Sequence, residues 1–280
     1  MPGFYFPPSP WLYLCFMPAF TDGLGRTIKL SASPQRIISL VPSQTELLHA
    51  LCLEKEVIGI TKFCVHPRDW FRTKTRIGGT KNINLQKILS LEPQLVIANK
   101  EENVKEQVEE LAAHVPVWVS DVNNLDDAYH LIESLGEITA RKEVAAKLTS
   151  AIQTAFAKNS FGSSVLNTAY LIWKEPYMTV GGDTFINQML CAASFQNVFR
   201  NKKRYPAVTV PDLQEAGCDL LLLSSEPYPF KQKHIDELQQ HLPATKILLV
   251  DGEMFSWYGS RLLHAPAYFQ RLHQQICTMV

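Results

Sequence analysis

The stretch RIISLVPSQTELLHALCLEKEVIGI, residues 36–60, decides the fold. Its apolar run from Ile37 to Val41 ends at a turn at Pro42 and Ser43, a helix-like stretch follows, and a second apolar run, Val57 to Ile60, opens into the polar loop TKFCVHP. Short apolar runs alternating with helical patterns are the grammar of successive parallel βα units. GGTKNINLQKILSLEPQLVIA, residues 78–98, repeats that grammar, with Asn84 predicting a helix cap and Leu95 to Ala98 the next buried strand. The segment predicts an α/β lobe whose loops gather at one edge of a parallel sheet.

The chain has 280 residues, enough for two domains of ordinary size. A first lobe is expected over residues 22–124, with strands near 36–41, 57–60, 95–98 and 116–119, where Trp118 reads as core. A connector follows over 125–162. In it Leu125 to Leu135 reads as a helix capped by Asn124, with Asp126 and Asp127 suiting the positive end of the helix dipole. Ala140 to Lys158 is rich in strong helix formers and carries Val144, Leu148, Ile152 and Phe156 at i, i+4 spacing. As one helix it spans roughly 28 Å, enough to hold two lobes at a nearly fixed separation. The second lobe is expected over 163–280, with strands at 167–173, 220–223 and 247–250 and a helix from about Thr184.

Ligands of open α/β sheets sit beyond the carboxyl ends of the strands, so the loops after the apolar runs supply the candidate site. They contain Phe63, Cys64 and His66 in the first lobe, then Asn99, Glu101 and Glu102. In the second lobe they contain Trp173, Tyr177, Tyr228, Phe230, Phe255, Trp257, Tyr258 and Arg261. Aromatic faces suit a flat macrocycle, and Arg261 suits a carboxylate or phosphate. Cys64 and His66, two apart, form a candidate metal or haem pair, against the plainer reading of a packed loop cysteine and a surface histidine. Glu101 and Glu102 read either as ligand contacts or as carboxylates at a helix start. GGDT, residues 181–184, lacks the lysine and spacing of a phosphate loop, and no serine stands in a GxSxG context, so catalysis has no anchor.

With these residues in place, the chain resembles the class III periplasmic substrate-binding proteins of ABC importers. RIISLVPSQTELLHAL, the Gly-bearing strand end before TKFCVHP, the NxxxIxxLxPxLVI pattern of 84–97, and GGDTFINQMLCAASFQNVF at 181–199 carry the resemblance. It implies two Rossmann-like α/β lobes, one backbone helix, and an interlobe cleft for cobalamin, haem or a ferric siderophore. On this reading the chain is a monomeric binding protein rather than an enzyme, and an ABC permease is its partner. No resident cofactor is expected, and cobalt or iron would arrive inside the ligand. Two of three aromatic platforms of the cobalamin-binding members fall here on Thr80 and Asn99. The two permease-docking glutamates fall on Gln86 and Pro211, with Asp212 adjacent and Glu92 and Glu215 not far off.

Lys and Arg number 27, as do Asp and Glu, and no basic block exceeds NKKR at 201–204, which removes the electrostatic footprint of nucleic-acid binding. No apolar run approaches a membrane-spanning length. Residues 1–21 read as a leader outside the fold. MPGFYFPPSPWLYLCFMPAF has five prolines and no basic residue, a poor secretory signal, so a functional start near Met17 is expected and the compartment stays open between periplasm and cytoplasm. Six cysteines show no CxxC pair; Cys52, Cys191 and Cys277 read as small hydrophobes in helices.

Overall fold

A computed structural model describes residues 18–158 and 165–278. The readings placed on residues 1–17, including Cys15 and the start near Met17, lie outside the described residues. Residues 19–21, placed in the expected leader, form β1 (Ala19–Thr21), which pairs antiparallel with β2 (Thr27–Lys29).

The first lobe follows in βα order: β3 (Ile37–Ser39), α1 (Pro42–Ala50), β4 (Val57–Ile60), α2 (Arg68–Thr73), β5 (Thr75–Arg76), α3 (Leu85–Ser90), β6 (Leu95–Asn99), α4 (Lys105–Ala112) and β7 (Val117–Ser120). Pro42 is the first residue of α1 and not a separate turn, because a helix start needs no N–H there. The five strands are parallel in the order β5-β4-β3-β6-β7. The chain runs one way from β3 and the other way from β6, so the crevice between those two strands is the switch point where this architecture places its ligands.

The connector is two helices. In α5 (Leu125–Ile138) the Asn124 side chain accepts from the Asp127 N–H at 2.9 Å, as its sequence predicts. Gly136 does not end this helix. A Cβ there would lie 2.3 Å from the Ala145 Cβ, so glycine lets α6 (Lys142–Lys158) cross α5 at close range. The buried line of α6 is Ala145, Thr149 and Ile152, one residue round from the expected stripe, and Val144, Leu148 and Phe156 flank it. The close crossing requires the small side chain at the centre.

The second lobe comprises β8 (Leu166–Trp173), β9 (Tyr177–Thr179), α7 (Phe185–Ala192), β10 (Phe195–Asn197), β11 (Ala207–Val208), α8 (Val210–Ala216), β12 (Leu220–Ser224), α9 (Gln232–Gln239), β13 (Lys246–Val250), α10 (Glu253–Ser256), a 3-10 turn at Ser260–Leu263, and α11 (Ala265–Thr278). Its sheet order is β11-β9-β8-β12-β13, with β10 parallel to the start of β8. Thr184 caps α7, which begins where the sequence places it.

One apolar core runs unbroken from Leu47 and Trp70 of the first lobe, through Leu131 and Ile152 of the connector, to Tyr170, Phe255 and Phe269 of the second. Trp118 is core, as its position in a strand predicts. Cys64 and Cys218 are the buried cysteines, whereas Cys52, Cys191 and Cys277 are exposed, the reverse of the sequence expectation. Cys52 lies beyond the end of α1 with φ of 61°, so its side chain is turned away from the helix's apolar face. No helix among the described residues is long and apolar enough to cross a membrane.

Candidate functional site

The carboxyl edges of the two sheets meet along a seam. From the first lobe come α1, which follows β3, and the loop after β6; from the second come the loops after β12 and β13. Arg261 is the centre of the seam. Its guanidinium pairs with Glu46 of α1 through two bonds of 2.8 and 3.0 Å and with Glu253 at 2.6 Å, and it lies over the Trp257 ring at 4.7 Å. The flanking carboxylates hold the Arg261 charge in place and raise its pKa against the opposing effect of burial. The expected open anion anchor is therefore occupied by the protein's own carboxylates.

Beside it, the Tyr258 hydroxyl donates to Glu102 across the seam at 3.0 Å, and Tyr205 donates to Glu101 at 2.8 Å; Arg204 also pairs with Glu101. Asn99 ties this loop to the sheet edge. Its Oδ1 accepts from the N–H groups of Glu101 and Glu102 at 2.9 and 3.0 Å, and its Nδ2 donates to Ser120. Asn99 thus positions the two glutamates from a buried site. Gly259 has φ of 146°, and a Cβ there would meet Leu47 Cβ at 3.2 Å and the Ser43 carbonyl at 3.4 Å, so only glycine lets the second lobe's backbone rest this closely on α1.

Burial shapes the acidity of the seam. Loss of hydration pushes Glu102 up to about 7, with the like charge of Glu226 adding to it and the Tyr258 hydrogen bond opposing it. Desolvation also raises Glu226, against the hydrogen bonds that Ser256 and Trp257 donate to its Oε1 at 2.8 Å each. Glu253 is raised by the same cause, opposed by Arg261.

Of the residues singled out in the sequence, the seam joins His66, Glu101, Glu102, Trp257, Tyr258 and Arg261. His66 Nε2 lies 3.5 Å from Glu253, and its ring meets Trp257 edge-on at 5.8 Å. Phe63 stands 51% exposed on the rim of the first lobe, its ring 5.1 Å from the Lys62 ammonium. Three expectations are corrected. Cys64 is fully buried, its sulfur held by Thr45 at 3.0 Å and Thr61 at 3.1 Å, and burial raises its thiol pKa, so it does not join His66 as a ligand pair. Phe255 is sealed against Tyr170 and Phe269, and Phe230 lies in the second lobe's own core. Both rings are taken up by their own lobe's core and make no contact across the seam, unlike Tyr258, which bonds Glu102, and Trp257, which meets His66. Trp173, Tyr228 and Tyr177 form a separate group: Trp173 meets Tyr228 edge-on at 5.6 Å, and Tyr177 donates to Glu237 at 3.3 Å. No group of three or more metal-ligating side chains occurs among the described residues.

Sequence reasoning missed Glu46, Arg204, Tyr205 and Glu253. Glu226 stands out in the sequence as a metal-capable side chain in the loop after the strand at 220–223, and Glu253 lies unremarked in the loop after the strand at 247–250. Glu46 carries a usable signal, a lone carboxylate between Thr45 and Leu47 on a helix that follows the first strand of the switch point.

This geometry agrees with the comparisons to known proteins. The vitamin B12-binding protein of Photorhabdus laumondii is 28% identical over 268 residues, covering 94% of this chain and 93% of the relative. The periplasmic haem-binding protein RhuT from Roseiflexus sp. RS-1 superposes with a TM-score of 0.72 at 20% identity, over 86% of this chain and 99% of that one. The ABC-type Fe3+-hydroxamate transport system protein from Saccharomonospora viridis gives 0.71 at 18% identity, over 93% and 99%. Two α/β lobes with facing carboxyl edges, a helical connector between them, and a periplasmic binding protein family match over residues 37–247 lead to one assignment: the chain belongs to the periplasmic binding protein family.

Proposed function

We propose that this chain receives a small metal chelate or corrinoid between its lobes and delivers it to an ABC permease, acting as a monomeric binding protein. The observation that carries this reading is the seam itself. Residues from the switch point of one sheet, Glu46 and Glu102, directly meet Arg261 and Tyr258 from the last loop of the other, so one molecule inserted there touches both lobes. Relatives named for vitamin B12, haem and Fe3+-hydroxamate support the ligand class, and all three are binding proteins or transport components. His66, Trp257, Tyr258 and Phe63 are the side chains proposed to face the ligand. Any cobalt or iron belongs to the cargo.

The test is absorption spectroscopy and metal analysis of freshly purified protein, followed by calorimetric titration with cyanocobalamin, haem and a ferric hydroxamate. Binding of one of these at micromolar affinity or better, reduced by Trp257→Ala, is the expected result. No binding by any of them overturns the proposal.

A second reading, the same cleft without a permease, has one observation in its favour. The docking glutamates that the resemblance implies are replaced by Gln86 and Pro211, and the adjacent Asp212 is engaged in its own helix cap, accepting from the Thr209 N–H and hydroxyl at 2.6 and 2.7 Å. Sequencing the mature N-terminus from separated cell fractions decides between an exported receptor and a cytoplasmic one.

A further inference from the structure

The seam is rich in hydrogen-bond acceptors and short of free donors. Glu46, Glu101, Glu102, Glu226 and Glu253 bring five carboxylates to it, against the guanidiniums of Arg204 and Arg261 and the ammonium of Lys81, which sits 2.6 Å from the Glu101 carbonyl oxygen. Asp251 adds a further negative charge that both Glu226 and Glu253 feel. The donors are already committed. Arg261 serves Glu46 and Glu253, the Trp257 indole and Ser256 hydroxyl both serve Glu226 Oε1, and the Tyr258 hydroxyl serves Glu102 Oε1.

Acceptors, by contrast, remain open. The donors named above all go to Glu102 Oε1 and Glu226 Oε1, which leaves each Oε2 outside those bonds. The fully buried Gln44, two residues before Glu46 on α1, also has its Oε1 without a partner. Glu102 and Glu226, one from each lobe, accept from the consecutive side chains Tyr258 and Trp257, which sets them on one stretch of the seam, and the charge of Glu226 adds to the burial that raises Glu102.

We infer that the cleft selects a chelate whose periphery is uncharged or cationic and rich in N–H donors, such as amides or amines, and rejects one whose periphery carries carboxylates or phenolates. The inference rests on the chelate-binding reading and adds the chemical class of the cargo. An anionic ligand reaches Arg261 only by displacing Glu46 or Glu253, which then stay desolvated without a counter-charge, a costly arrangement. An amide or ammonium can meet the Oε2 atoms of Glu102 and Glu226, whose Oε1 atoms hold the internal bonds, and so needs no carboxylate stripped of its counter-charge. Specificity then comes as much from repulsion of the wrong cargo as from attraction of the right one.

Two matched pairs test this by quenching of tryptophan fluorescence: ferrioxamine B against its N-succinyl derivative, which replaces an ammonium by a carboxylate, and cyanocobalamin against a derivative with peripheral amides hydrolysed to acids. In whichever scaffold binds, the donor-bearing member is expected to bind at least tenfold more tightly at low salt and pH 8, above the pKa of about 7 at which Glu102 gives up its proton. The gap should narrow in 0.5 M NaCl and in the Glu102→Gln/Glu226→Gln variant. Equal or tighter binding of the carboxylate-bearing member overturns the inference while leaving the chelate reading standing. Failure of both members of both pairs, together with failure of haem, defeats the chelate reading and this inference with it. The wild-type comparison alone is decisive, so a poorly folding variant does not rescue the proposal.

Discussion

The two walls of the cleft play opposite parts in most of the bonds that cross it. The first lobe supplies acceptors, Glu46 from α1 and Glu101 and Glu102 from the loop that Asn99 holds, and the second supplies their donors, Tyr258, Tyr205, Arg204 and Arg261. The second lobe's own carboxylates, Glu226 and Glu253, are met mainly by donors of that same lobe, with His66 facing Glu253 from across the seam. The lesson is that neither wall is complete by itself: each cross-seam bond has its acceptor on one lobe and its donor on the other.

The strongest way to break this complementarity is Arg261→Ala. It leaves Glu46 and Glu253 facing each other without a counter-charge, and a loss of about 2–3 kcal/mol in urea unfolding is expected, the range for hydrogen bonds to charged groups. Arg261→Lys should recover less than half of that loss, since an ammonium cannot make the bidentate contact.

Tyr258→Phe removes one neutral donor to Glu102 and should cost about 1–2 kcal/mol in the same assay. If Tyr258→Phe proves as costly as Arg261→Ala, the hydroxyl and not the guanidinium is the main tie.

The pH dependence sharpens the comparison further. Glu102 has a native pKa of about 7 against an ordinary value of 4.5, so between these values the native state holds the extra proton. Stability contributed at this site is therefore highest below pH 4.5, falls as pH rises to about 7, and is level above that. Glu102→Gln should flatten this part of the stability profile, by on the order of 1 kcal/mol once solvent screening is counted. A variant profile that falls as steeply as wild type would place the titration elsewhere.

Phe63→Ala should be the mildest change. An exposed rim side chain contributes less than about 0.5 kcal/mol to folding, so any loss seen in ligand titration but not in unfolding marks it as a ligand contact.

Much of the framework was legible because it is local. The strand at Val57–Ile60 and the caps at Asn84 and Asn124 follow from periodicity and from side chains that bond their own helix starts. The closing loop was legible too, since Trp257, Tyr258 and Arg261 follow a buried strand. Their partners were not. Arg261 pairs with Glu46, 215 positions earlier in the chain, and Tyr258 with Glu102, 156 positions earlier, and no spacing rule links residues so far apart. Cys64 misled for a related reason: a loop position next to the exposed Phe63 suggests access, yet Thr45 and Thr61 fold over its sulfur. NKKR, read only as a basic block too short for nucleic acid, holds Arg204, whose role appears once Glu101 is brought to it.

The unbroken core through both lobes and the connector also bears on how such a protein changes over generations. Because Leu47, Ile152 and Phe255 belong to one packed body, neither half is an exchangeable module, and a cut through residues 125–158 exposes apolar surface on both pieces. Cooperative unfolding of the whole chain in a single transition is the physical counterpart. New cargo preferences are then reached by rewriting the loops after β6, β12 and β13 on an inherited frame, one side chain at a time, and not by recombining a lobe from one ancestor with a lobe from another.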